Sequence, residues 1–207
     1  MVQFQFEVNA GGLQNLDPVE SSNTHGDFYD IEKYRANHGY YEADVCTVFL
    51  HRSTLNDTYG LVITHHDAST AVSDKYGVET TFSQLLNSTD AYIVKDDNND
   101  GYSSSSMRHQ FNGNKTDGAV IDVAQFSDVT ISLNHTFEGD TTDQDLDDFR
   151  VIYQDGSAPD GGAVEYAGKY GTIRITVPDA LNPIVRSKEF PTEGDTVVLL
   201  REDLAHL

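Results

Sequence analysis

Val45-Cys46-Thr47-Val48-Phe49-Leu50-His51 and Gly60-Leu61-Val62-Ile63-Thr64-His65-His66 are the two stretches that decide the fold. Both are short, rich in β-branched and aromatic side chains, and bounded by Asn, Asp and Gly, as strands are. Similar runs lie at 78–84, 91–95, 108–111, 119–123, 129–133, 149–153, 163–166, 172–177 and 196–201. Upstream, Val2, Phe4, Phe6 and Val8 share one face of a period-two run and make a first strand. The intervals lack the amphipathic helices that parallel β-α-β units require. The pattern predicts an all-β fold, an antiparallel β-sandwich of jelly-roll-like character.

One short N-terminal helix is predicted over residues 30–39, with Asp27 or Asp30 as its cap and Gly39 as its stop. Residues 10–26, rich in Gly, Asn, Ser and Asp, read as a long loop or arm. A weak sub-boundary falls near 138–148, where Gly139, Asp140, Asp143, Asp145, Asp147 and Asp148 crowd together. The strands beyond it are too few for a core of their own, so residues 1–207 are read as a single domain.

Charge narrows the class of function. The chain has 34 Asp and Glu against 13 Lys and Arg, a formal net charge of −21, and Asp outnumbers Glu by 24 to 10. Such self-repulsion destabilises a compact domain in dilute buffer. At molar salt the Debye length falls to roughly 3 Å and most of it is screened. The composition therefore suits a very salty solution. It also disfavours nucleic acid, which needs basic patches, and anionic membrane surfaces. No stretch approaches the ~20 apolar residues of a membrane span, and the N-terminus carries no signal-peptide pattern. Cys46 is the single cysteine, so no intrachain disulfide forms; in its apolar run it reads as a buried structural thiol.

The best metal candidate is Asp96-Asp97-Asn98-Asn99-Asp100-Gly101-Tyr102. Asp96, Asn98 and Asp100 take positions 1, 3 and 5 of an EF-hand-type loop, Gly101 its turn, and the carbonyl of Tyr102 its position 7. Position 12 is Met107 and not a bidentate Glu, so a whole EF-hand is not expected. The loop would hold Ca2+, or Mg2+ or Na+, with a remote carboxylate; the competing reading is a solvated acidic turn. His65-His66-Asp67 invites a zinc or hydrolase reading, but on a strand His65 and Asp67 share a face and His66 points to the other. No nucleophile motif or phosphate-cradling loop occurs, and Ser103–Ser106 suits a mobile loop. No catalytic residue is assigned. Sequons begin at Asn56, Asn87, Asn114 and Asn134, and Tyr40, Tyr41, Tyr59 and Tyr102 are candidates for stacking on a surface glycan.

Leu61-Val62-Ile63-Thr64-His65-His66-Asp67, Tyr92-Ile93-Val94-Lys95-Asp96-Asp97 and Thr116-Asp117-Gly118-Ala119 carry a resemblance. In order they form a strand ending in His-Asp, a strand ending in Asp-Asp and a Thr-Asp-Gly turn. An aromatic strand, here His109-Gln110-Phe111, precedes the turn. This pattern, over roughly residues 45–135, resembles the β-sandwich domains of haloarchaeal surface and virion proteins, including structural proteins of haloarchaeal tailed viruses. The resemblance implies a β-sandwich with Asp96, Asp97 and Asp117 gathered at one end around an ion, and implies no catalytic activity. With the composition, it leads to the expectation of a non-enzymatic virion component: a capsid decoration, turret or tail protein that forms a homo-oligomer and binds other virion proteins. The alternative is a secreted or cell-surface calcium-dependent binding module, with a carbohydrate ligand.

Overall fold

The computed structural model describes residues 4–8, 12, 14–29, 31–32, 35–36, 40, 45–67, 76–95, 101–111, 115–126, 130–138, 148–153, 162–167, 172–176 and 178. In chain order the strands are β1 (Phe4–Val8), β2 (Gln14–Leu16), β3 (Val19–Ser21), β4 (Ile31–Glu32), β5 (Arg35–Ala36), β6 (Val45–Ser53), β7 (Thr58–Asp67) and β8 (Tyr76–Phe82). They continue with β9 (Tyr92–Lys95), β10 (Gly101–Tyr102), β11 (Ser106–Phe111), β12 (Lys115–Asp122), β13 (Thr130–Glu138), β14 (Asp148–Tyr153), β15 (Gly162–Ala167) and β16 (Thr172–Thr176). Among the described residues there are also two short α-helices, α1 (His25–Tyr29) and α2 (Ser88–Ala91), and a 3-10 turn at Val123–Gln125.

The strands form the predicted β-sandwich. The first sheet runs β10-β11-β8-β13-β16-β1-β2; the second runs β15-β14-β6-β7-β12-β9, with β3 also on β6. The strands after Glu138 are shared between both sheets, and β16 lies between β13 and β1. Between the sheets, Phe4, Phe6, Met107, Ile131, Leu133, Ile173 and Ile175 meet Val48, Leu50, Leu61, Ile63, Ala119, Ile121 and Val151. Most pairings are antiparallel, but β3 and β14 both pair with β6 in parallel. The chain passes from the first sheet to the second between β13 and β14, and a strand that arrives by crossing over is not forced antiparallel as a hairpin partner is.

The second sheet is covered on both faces. Its outer face packs Phe49, Val62 and Val120 against Val19, Phe28 and Tyr29 of the N-terminal segment. This double burial explains why β6 and β7 read as nearly continuous apolar runs and not as clean alternations.

The N-terminal expectations need correction. The helix lies at His25–Tyr29, not over 30–39, where Ile31–Glu32 and Arg35–Ala36 pair as a two-stranded ladder. The start signal is Thr24: its hydroxyl accepts from the Asp27 amide at 3.1 Å and donates to the Asp27 carboxylate at 2.6 Å. Nor is the 10–26 segment a free arm, because Gln14–Leu16 pairs with β1 and Val19–Ser21 with β6. Ser103–Ser106, read from sequence as suiting a mobile loop, forms a tight hydrogen-bonded turn between β10 and β11. The Ser103 amide donates to the Ser106 carbonyl at 2.8 Å, and Tyr92 Oη donates to the carbonyls of Ser103 and Ser106. The run predicted at 196–201 and the acidic segment 139–147 lie outside the described residues.

Candidate functional site

Two clusters of buried polar side chains sit on opposite faces of the second sheet. Their positions follow from the β6–β7 hairpin, whose turn at 54–57 sets Ser53 opposite Thr58 and, counting back, Cys46 opposite His65. The β7–β12 ladder then sets Asp117 opposite His65 and Thr116 opposite His66.

Cys46, His65 and Asp117 thus form a cross-strand row at one end of the inner face, continued across the sandwich by His109 of β11. Cys46 Sγ lies 2.8 Å from His65 Nδ1, and the His65 and His109 ring centroids are 5.3 Å apart. Tyr102 packs against His109 at 5.9 Å and Tyr92 at 4.9 Å, with Lys95 Nζ 5.4 Å from its ring centroid. The order Cys-His-Asp resembles a nucleophile, a base and an orienting acid, but the sulfur cannot act as one. Cys46 has no exposed surface, and burial pushes its thiol far up from its ordinary value. The row is a packed polar layer at the end of the core.

On the outer face, His25 of α1 and His51 of β6 join their Nδ1 atoms at 2.7 Å. Ser21 Oγ lies 2.7 Å from His51 Nε2, and Thr58 Oγ1 lies 3.0 Å from His25 Nε2. The Phe28 ring lies flat on His51, centroids 3.8 Å apart at 10°. Burial lowers the His25 pKa, opposed by the Asp122 carboxylate.

The sequence-derived ion site is reached only in part. Asp96, Asp97, Asn98 and Asp100 lie outside the described residues. The flanking Lys95 and Gly101 are placed, the first ending an edge strand of the second sheet and the second opening an edge strand of the first. Tyr102 is half-buried among rings, and Asp117, 5% exposed, faces His65. Among the described residues no three His, Cys, Asp or Glu side chains gather closely enough to hold a metal ion. The Thr-Asp-Gly motif is not a turn: Thr116, Asp117 and Gly118 lie within β12, and Thr116 Oγ1 lies 2.8 Å from His66 Nδ1. His65 and His66 do point to opposite faces.

Of the stacking candidates, Tyr59 is buried with its ring 5.2 Å from Phe4, and Tyr40 stacks on Phe28. Tyr41 and Asn114 lie outside the described residues, while Asn56, Asn87 and Asn134 are exposed. Sequence reasoning missed the His25–His51 pair altogether. The available signal was the Thr24-x-x-Asp27 capping box, which moves the helix start and with it His25. Compared with protein-family models, curated proteins and solved structures, the chain gives no match.

Proposed function

We propose that the chain is a non-enzymatic structural and interaction protein of a halophile, a component of a haloarchaeal virus particle such as a capsid decoration, turret or tail protein. The observation that carries this reading is the pairing of a net charge of −21 with a β-sandwich whose one thiol is sealed in the core. Subunits of like charge associate only where salt screens them or cations bridge them. The acidic run from Asp96 to Asp100 is the place we assign to such a bridge, from its alternating oxygen ligands, with Ca2+ as the ion and Mg2+ or Na+ as alternatives. The partners are then copies of the chain and other virion proteins.

A second reading rests on a separate observation. Asn56, Asn87 and Asn134 each begin a sequon and are exposed, as glycans on a cell-surface or secreted binding module would require.

Light scattering in molar salt, before and after chelation, tests the first reading. A defined oligomer that dissociates with the chelator supports it. A monomer indifferent to salt and chelator overturns it. Glycan mass on the protein from its native host would favour the surface module.

A further inference from the structure

The protons of the outer cluster can be assigned one by one. The Asn23 amide donates to Ser21 Oγ at 3.2 Å, which leaves the Ser21 hydroxyl proton for His51 Nε2. At the other end the Thr58 hydroxyl donates to Asn56 Oδ1 at 2.7 Å, so its oxygen accepts from His25 Nε2–H. A neutral imidazole carries one N–H. His25 therefore presents a bare Nδ1 to His51, and His51 carries its proton on Nδ1. The result is a one-way relay: Ser21 to His51, His51 to His25, His25 to Thr58, Thr58 to Asn56. Reversing it leaves Asn56 Oδ1 facing a hydroxyl that no longer donates.

The relay tolerates one added proton but not two. A proton on His51 Nε2 turns the Ser21 hydroxyl proton away, yet the imidazolium still donates to Ser21 Oγ and to His25 Nδ1. A second proton, on His25 Nδ1, would point at the N–H of His51 across 2.7 Å. Other charged and titratable groups lie on the elements packed around the pair. Asp122 of β12 acts on His25 from a distance, and its Oδ1 accepts from the Ala124 amide. Asp27 of α1 is held by Thr24; Glu20 of β3, Arg52 of β6 and Asp57 are bound to one another. From β7 comes Tyr59, from β9 Lys95 over the Tyr92 and Tyr102 rings, and from α1 itself Tyr29.

What the pair fastens is the N-terminal cover of the second sheet. Val19 pairs with His51, the Thr54 amide donates to the Ser21 carbonyl at 2.8 Å, and Ser53 Oγ donates to the Asn23 carbonyl at 2.7 Å. Phe28 and Tyr29 then lie over Phe49, Val62 and Val120. We propose that the His25–His51 pair is an acid-sensitive latch: protonation of both rings below neutral pH sets N–H against N–H, breaks the relay and releases residues 19–29 from the outer face, uncovering Phe49, Val62 and Val120. This inference stands apart from the virion reading and does not depend on it.

Two measurements on the full chain in molar KCl test it. Nitrogen-edited NMR at pH 7.5 should find His51 protonated at Nδ1 and His25 at Nε2; any other pair of tautomers overturns the relay. Hydrogen exchange, corrected for intrinsic rates, should show the Phe28 and Thr54 amides losing at least tenfold in protection between pH 7.5 and pH 5. The β7–β12 ladder should change less than twofold. No loss, or an equal loss across the whole sheet, overturns the latch. In a His25→Gln/His51→Gln variant, whether its cover is closed or already open, protection at Phe28 and Thr54 should not depend on pH; retention of the tenfold step also overturns it.

Discussion

A methyl group on Gly118 would come within 2.5 Å of the Tyr29 hydroxyl and press on the carbonyl oxygen of Ile63. Gly118 of β12 pairs with Thr64 of β7 in the second sheet, and its missing side chain is the slot into which α1 lowers Tyr29. Gly118→Ala should therefore cost about 1–3 kcal/mol, the scale of overpacking in a closed core. Denaturant melts would measure it. Tyr29→Phe in the same chain should restore only part of the loss, since the Ile63 oxygen stays in place. A Gly118→Ala protein as stable as the wild type would show that α1 is not seated as described.

Cys46 should behave as a core atom and not as a reagent. With no exposed surface and a raised thiol pKa, it is neither reachable nor ionised at neutral pH. Labelling by a thiol-specific disulfide reagent should proceed only as fast as the sandwich opens, and denaturant should accelerate it in step with unfolding. Fast labelling of the folded protein would contradict the sealed row. Cys46→Ala should destabilise by about 1–3 kcal/mol, because His65 loses the sulfur beside its Nδ1 and a small cavity opens.

How much of this was legible beforehand depends on what sets each feature. The strands were legible because apolar content and turn residues act locally: β6, β7, β12 and β16 fall within a few residues of the runs that announce them. The helix was misplaced because Asp30 and Gly39 offered a cap and a stop, while the Thr24 capping box sat inside a polar stretch read as an arm. The role of the polar stretch is set by tertiary contact, since Val19, Phe28 and Tyr29 have somewhere to go only once β6, β7 and β12 form a sheet. The same holds for the buried histidines. His25 and His51 are 26 residues apart, and only the parallel seating of β3 on β6 brings them together.

The His25 environment sets the sign of a pH effect. Burial keeps its folded-state pKa below the ordinary 6.5, so the unfolded chain binds the proton more readily. Its contribution to stability is complete above about 6.5 and declines as pH falls from there toward the lowered folded value. Carboxylates contribute little between pH 7 and 5.5, because their ordinary values lie near 4. His25→Gln also changes the partner of His51, so the difference between the two stability-against-pH curves reports the His25–His51 pair, while the remaining histidines are common to both. Wild type should lose stability more steeply on acidification over that range. Parallel curves would remove His25 from the account.

Salt should govern stability more than any ion pair does. Among the described residues the side-chain bridges include Arg52 with Glu20 at 2.6 Å, Arg52 with Asp57 at 2.7 Å, and Arg174 with Glu7 at 3.7 Å. All three involve exposed or half-exposed groups, worth at most about 1 kcal/mol each in dilute buffer and less once screened. Were they the main electrostatic contribution, added salt would lower Tm. The net charge of −21 pushes the other way, since screening removes repulsion that only the compact state suffers strongly. Tm should therefore climb steeply as KCl rises from 0.1 M toward molar concentrations, then flatten as the Debye length shrinks to roughly 3 Å. Arg52→Ala should shift the whole curve by little and leave its slope unchanged. A Tm that is flat or falling with KCl would sink the halophilic reading, and with it the screening on which the proposed self-association depends.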